Sequence, residues 1–216
     1  MAQRPPGADQ DYSDFPELLI EEDTELFRCH VRRDQAPDLG CWFFSSLHPN
    51  DDPSRKGRFD LPSPRGTCYL ASAVEGALME IVGPYTAKGI PVPSDLLARR
   101  LLTTFRTPLG IRAANVSSRE ASLRGVTAEL TTMSDYPVPQ SWASALDQSG
   151  FDAIWGSLRF SPDGTRGLAL FDEEGAPDGW PSSSRSDSAQ DVADDLGIAT
   201  AQTPNLDEID VVEPPD

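Results

Sequence analysis

Acidic residues crowd both ends of this chain and leave its middle neutral, which sets where a folded body can lie. Residues 1–27 carry eight acids against one Arg, and residues 173–216 carry twelve acids against one Arg. Residues 28–172 carry fifteen acids against sixteen bases, so the net charge of −17 belongs to the ends. Charged segments with few apolar residues bury too little surface to offset the entropy lost on ordering. The stretch GAPDGWPSSSRSDSAQD is of that kind. The expected organisation is an acidic, partly disordered N-terminal extension over residues 1–24, one folded domain over 25–172, and a disordered acidic tail over 173–216. Within the tail, Val192–Ile198 is expected as a short helix and Ile209–Val212 as a short apolar segment. The 216 residues suffice for one domain with its own core.

The same composition narrows the classes of function. Acidic ends repel phosphate backbones, so no nucleic-acid partner is expected. No apolar run reaches the roughly 18 residues of a membrane span, so no membrane partner is expected. Three Cys and an N-terminus without an apolar segment indicate a reducing compartment, and a cytoplasmic location is expected. A homo-oligomer is compatible with all of this.

Along the body, Glu25–Val31, Gly66–Ala71, Phe151–Trp155 and Gly167–Phe171 have the composition of strands, the last two joined by a turn at Pro162-Asp163-Gly164. The aromatic run Trp42-Phe43-Phe44 after Cys41 is expected to be mostly buried. Ser72-Ala73-Val74-Glu75 matches a capping box. The apolar residues Val74, Ala77, Leu78, Ile81, Val82 and Tyr85 follow at helical spacing, with Gly83-Pro84 as the expected end. Glu80 falls off that stripe, free to face a cleft. Further helical segments are expected at Leu96–Thr103 and Gln140–Gln148, the latter closed by Gly150. Strands and helices without strict alternation indicate the α+β class.

Most chemical motifs are missing. Cys29, His30, Cys41 and His48 lack the tight paired spacing of zinc ligands, and adjacent residues of a strand face opposite ways, so no metal is expected. There is no nucleophile elbow, phosphate-binding loop or dinucleotide fingerprint. What remains is Arg58 in Gly-Arg-Phe-Asp, Tyr69 in Gly-Thr-Cys-Tyr-Leu-Ala, and Glu80 on the helix. An Arg to grip phosphate, an aromatic platform and a carboxylate could serve a nucleotide whose glycosidic bond breaks. By spacing alone, a surface Arg, a core Tyr and a solvated Glu explain these three residues better.

The local sequences add more. Leu26-Phe27-Arg28, Trp42-Phe43-Phe44-Ser45-Ser46, Gly57-Arg58-Phe59-Asp60-Leu61, Pro64 through Ala71, and Ala77-Leu78-Met79-Glu80 occur in the order found in the RES-domain family. Gly150-Phe151-Asp152-Ala153-Ile154, Arg159 and Gly167 through Phe171 continue the pattern. The chain resembles that family over residues 25–172. The resemblance implies a single domain similar in fold to ADP-ribosyltransferases. It also implies an enzyme that consumes NAD as substrate, without a prosthetic group, by phosphorolysis or hydrolysis of the nicotinamide–ribose bond. The implied setting is a toxin-like component held by an antitoxin protein. The alternatives are a protein ADP-ribosyltransferase and a noncatalytic nucleotide- or partner-binding module. By the same resemblance Arg28 and Arg58 would bind the NAD phosphates or an attacking phosphate. Tyr69 would pack on the nicotinamide or ribose, and Glu80 would stabilise the cationic ribose. The family's Ser falls at Leu158, with Ser157 one residue earlier. Either the strand is bulged, or Ser157 does not serve, or Ser161 substitutes.

Overall fold

The computed structural model describes residues 2–8, 10–32, 42–52, 56–161, 164–176, 178–181 and 185–202. The strands in chain order are β1 (Glu17–Ile20), β2 (Glu25–Val31), β3 (Ser46–Leu47), β4 (Leu61–Pro62), β5 (Arg65–Ala71), β6 (Val92–Pro93), β7 (Arg100–Arg106), β8 (Ile111–Asn115), β9 (Ala153–Ser157), β10 (Arg166–Glu173), β11 (Arg185–Ser188) and β12 (Thr200–Ala201). The helices are α1 (Val74–Thr86), α2 (Ser94–Ala98), α3 (Arg119–Leu123), α4 (Pro137–Gln148) and α5 (Ala189–Asp195). Eight strands form one sheet in the order β1-β8-β9-β10-β5-β2-β7-β11. Every neighbouring pair in it is antiparallel except β8 and β9. Parallel neighbours need a crossover, and the chain makes one through α3, the 3-10 turn Ala128–Thr131 and α4. This is an α+β domain.

Strand alternation divides the core. One face of the sheet carries Cys68, Leu70, Leu168 and Leu170, capped by Trp42, Phe44 and Trp180. The other face is shared by two helix groups. On β5, Tyr69 packs toward the group of α3 and α4, whereas Ala71, two residues on, packs toward α1, α2 and α5. Between these groups β2 and β5 meet at a single register pair, Phe27 opposite Ala71. The sheet forks there, and the fork opens on the gap between the helix groups.

Both ends of the chain differ from the expected organisation. Tyr12 is 1% exposed and Phe15 2% exposed, both wedged against Trp142, and β1 extends the sheet beside β8. Two buried rings and a paired strand thus tie down a segment whose composition reads as solvated. At the other end β11 pairs with β7, and Ala189 and Ala193 of α5 are fully buried. Position 172 is therefore not a boundary of the ordered body, and the helix expected at Val192–Ile198 begins earlier, at Ala189. Ile209–Val212, the turn residues Pro162-Asp163 and Cys41 lie outside the described residues.

Two local expectations are also corrected. Leu96–Thr103 splits into α2 and the start of β7, because Arg100–Thr103 pairs with β2 and Leu101–Thr104 with β11. A central strand position outweighs a weak helical preference. Helix α1 starts as expected but without its capping box. Ser72 Oγ accepts from Arg166 N at 3.0 Å, and Ala73 occupies the cap with no side-chain bond. The helix also runs through Pro84 to Thr86.

Candidate active site

A cleft of about 350 Å³ occupies the gap between the helix groups. Its walls bring together Arg28, Arg58, Tyr69, Glu80 and Ser157, five residues from five separate segments. A second cavity of about 270 Å³ adjoins it, sharing Arg28, Cys29 and Ile81 and adding His30 and Arg100. Cys29 has its thiol pushed up to about 11 by burial, against the pull of Arg100 and Arg28, so it stays protonated near neutrality.

Arg28 sits in the fork. Its Nη1 donates to Phe43 O at 3.2 Å and contacts Cys68 Sγ at 2.8 Å. Arg58 stands on the turn before β4, and Asp60 shapes that turn. The Asp60 carboxylate accepts from Gly57 N at 2.8 Å, Ser45 Oγ at 2.7 Å and Tyr69 Oη at 2.8 Å. Tyr69 Oη in turn accepts from Phe59 N at 2.8 Å. A Cβ on Gly57 would collide with the Tyr69 hydroxyl and lie 2.7 Å from its ring, so only glycine fits there. The turn aims the Arg58 guanidinium across the cleft, where Nε donates to Met133 O at 3.3 Å and Tyr136 lies 5.5 Å beneath. Burial and the adjacent Asp60 charge hold the Tyr69 phenol well above its ordinary value. Its hydroxyl is occupied, which leaves the ring as the surface it offers the cleft. Asp60 is the functional-site residue that sequence reasoning quoted but did not single out. Its signal is the three-residue spacing of Gly57 and Asp60.

Glu80 enters from α1. Burial pushes its carboxyl above the ordinary value, while the Arg58 charge, the Arg159 amide and charge, and the Phe160 amide pull it down. Its Oε1 is buried without a hydrogen-bond partner. A desolvated carboxylate facing two guanidinium groups is suited to stabilise a cation that forms beside it.

The three residues weighed for the serine position take different places. Leu158 also lines the cleft, and its side chain closes on Gly76 and Gly167 beneath α1. Ser161 is 7% exposed and is not on the cleft wall. Ser157 is on the wall, at the end of β9, and its Oγ lies 3.2 Å from Ser117 Oγ. Ser117 also accepts from Ser157 N at 2.9 Å, a contact across 40 residues that no local pattern announces. Among the described residues, no group of His, Cys, Asp and Glu is placed to hold a metal ion, and no helix is long and apolar enough to cross a membrane.

The family model of the RES domain matches residues 25–192, most of the chain, and the protein belongs to that family. Among solved structures, the fold is similar to a chain in the crystal structure of the M. tuberculosis MbcT–MbcA toxin–antitoxin complex. The TM-score is 0.57 at 15% sequence identity, over 82% of this chain and 91% of that one. No curated protein matches the sequence.

Proposed function

We propose that this RES-domain protein is a toxin-like enzyme that consumes NAD by breaking its nicotinamide–ribose bond. The observation that carries the reading is the convergence of Arg28, Arg58, Tyr69, Glu80 and Ser157 on one cleft at the fork of the sheet. Nicotinamide leaves with the electron pair of the C1′–N1 bond and becomes neutral, while positive charge develops on the ribose. Glu80 stabilises that charge, and its ionised form is the active one. The Tyr69 ring packs against the nicotinamide or ribose. Arg28 and Arg58 hold the pyrophosphate or an attacking phosphate. Ser157 orients the ribose or the acceptor with its hydroxyl. A phosphate oxygen then bonds to C1′ to give ADP-ribose 1-phosphate. With water in that place the product is ADP-ribose and one proton. The similarity to a chain of a toxin–antitoxin complex supports a protein antitoxin as partner.

The test is NAD loss by purified protein, with and without inorganic phosphate, beside Glu80→Gln. Loss that requires Glu80, with the variant at least about a hundredfold slower, is expected. Dependence on phosphate selects phosphorolysis over hydrolysis. Label from NAD appearing on a macromolecule instead of in free product selects protein ADP-ribosylation. NAD that binds without turnover selects a noncatalytic module.

A further inference from the structure

Helix α1 carries a glycine one turn beyond Glu80, and that glycine is where the loop after β9 lands. Gly83 is buried, and a Cβ there would strike the Phe160 ring and lie 2.6 Å from Phe160 Cβ. The obstacle includes the first carbon of the side chain, so rotating the ring cannot relieve it. The Phe160 backbone would have to move. That backbone and its neighbour are the segment whose amides, from Arg159 and Phe160, reach the Glu80 carboxylate. The next residue in α1 is Pro84, which has no amide proton to return to the Glu80 carbonyl. The helix therefore lacks the rung of its own ladder that would close on Glu80.

We infer that Gly83 and Phe160 are positioning residues for Glu80: their close packing locks the Arg159–Phe160 main chain so that its two amides hold the carboxylate toward the cleft. This rests on the reading of Glu80 as the group facing the reacting ribose. A serine or alanine at 83 leaves α1 helical but drives the loop outward, and the carboxylate loses donors that favour its charged form. The groups around Glu80 keep the readout clean. Arg58 and Arg159 are the cationic groups whose charge acts on it, and Arg28 on β2 lines the same cleft. Cys29 on β2 and Tyr69 on β5 are both displaced upward from their ordinary values. His30, two residues beyond Arg28 on the same side of β2, lines the adjoining cavity, its Nε2 2.8 Å from Thr103 Oγ1. Arg100 on β7 is bonded to Leu96 O at 2.7 Å.

The experiment is a carbon-13 carboxyl titration of the full chain, with the Glu80 resonance assigned by its absence in Glu80→Gln. It needs no turnover, so it stands even if the NAD reading fails. Gly83→Ala is expected to raise the Glu80 midpoint, and Phe160→Ala to raise it less. If the protein turns over NAD, the acid limb of kcat/KM moves with the midpoint, about a tenfold loss below it in Gly83→Ala. A role confined to packing would lower the melting temperature and leave the titration in place. A wild-type midpoint in either folded single variant overturns the inference, and if Gly83→Ala does not fold, Phe160→Ala decides alone in the same sense.

Discussion

The two walls of the cleft are built from opposite materials. The wall of α3 and α4 is aromatic: Tyr12, Phe15, Phe59, Trp142, Phe151 and Phe171 are all buried in one cluster. The Tyr12 and Trp142 ring centroids lie 5.2 Å apart, and Phe15 meets Phe151 edge-on at 6.3 Å. The wall of α1, α2 and α5 relies on small residues: Ala71, Ala77, Ala189 and Ala193 are buried in its cluster, and Gly76 and Gly83 are buried on α1. Large rings fill volume, make edge-on pairs worth more than their area, and hold their helices at a fixed distance from the sheet. Small residues do the reverse, and let α1 come down close enough for Glu80 to reach the cleft. One wall supplies rigidity and the other supplies approach.

The largest expected effect tests the aromatic wall. Trp142 is 2% exposed, touches both N-terminal rings, and donates from Nε1 to Arg4 O at 2.8 Å. Trp142→Ala should cost about 3–5 kcal/mol in urea unfolding. It should also free the N-terminal segment to proteolysis while the remaining folded molecules keep their cleft. A loss under about 1 kcal/mol would mean that Tyr12 and Phe15 are not keyed to α4, and the contrast between the walls would fall.

The next effect tests the small-residue wall, and there the balance between stability and function should invert. A Cβ on Gly76 would strike Thr165 Cγ2 and lie 2.8 Å from Leu158 Cδ1. Overpacking of that kind costs about 1–3 kcal/mol, less than the loss of Trp142. Where the Thr165 and Leu158 side-chain ends cannot turn aside, the relief is to lift α1, and Glu80 rides one turn further along it. Gly76→Ala should therefore slow NAD consumption by about tenfold or more, since small misplacements of a reacting group are expensive. Thermal melting beside steady-state kinetics reads both quantities. A variant that loses stability but keeps full turnover would show that Glu80 does not depend on how closely α1 approaches.

Much of the small-residue wall was legible in sequence, because helical spacing is local. The apolar stripe of α1 was readable, and so was the position of Glu80 off it. Helix α4 with Gly150 beyond its end, at φ +84°, was readable for the same reason. Strand β2 was read at its observed limits. What sequence reasoning missed is set by partners far along the chain. Arg100–Thr103 is strand because β2 and β11 flank it. Ser72 leaves the helix cap because Arg166 N competes for its hydroxyl. Tyr12 and Phe15 are core because Trp142, more than a hundred residues later, is there to receive them. The site follows the same rule. Arg28, Arg58, Tyr69 and Glu80 lie in short local patterns, whereas the Asp60 hub and the Ser117–Ser157 contact exist only once the sheet has formed.

The smallest effect concerns how the aromatic wall is fastened to the sheet at its edge. Arg65, at the start of β5, meets Asp147, near the end of α4, in a two-point contact: Nη2 to Oδ1 at 2.8 Å and Nε to Oδ2 at 3.4 Å. The hydrogen bond to Asp147 raises the Arg65 pKa, which favours its charged form. With the Arg65 side chain 39% exposed, solvent screens much of that attraction. A double-mutant cycle with Arg65→Met and Asp147→Ala should give a coupling of about 0.5–1 kcal/mol that shrinks with added salt. If the wall stands on its buried rings, breaking this pair leaves NAD turnover unchanged. A coupling that survives high salt and carries turnover down with it would make the ion pair part of the wall, and the division between rigid rings and yielding small residues would have to be redrawn around β5.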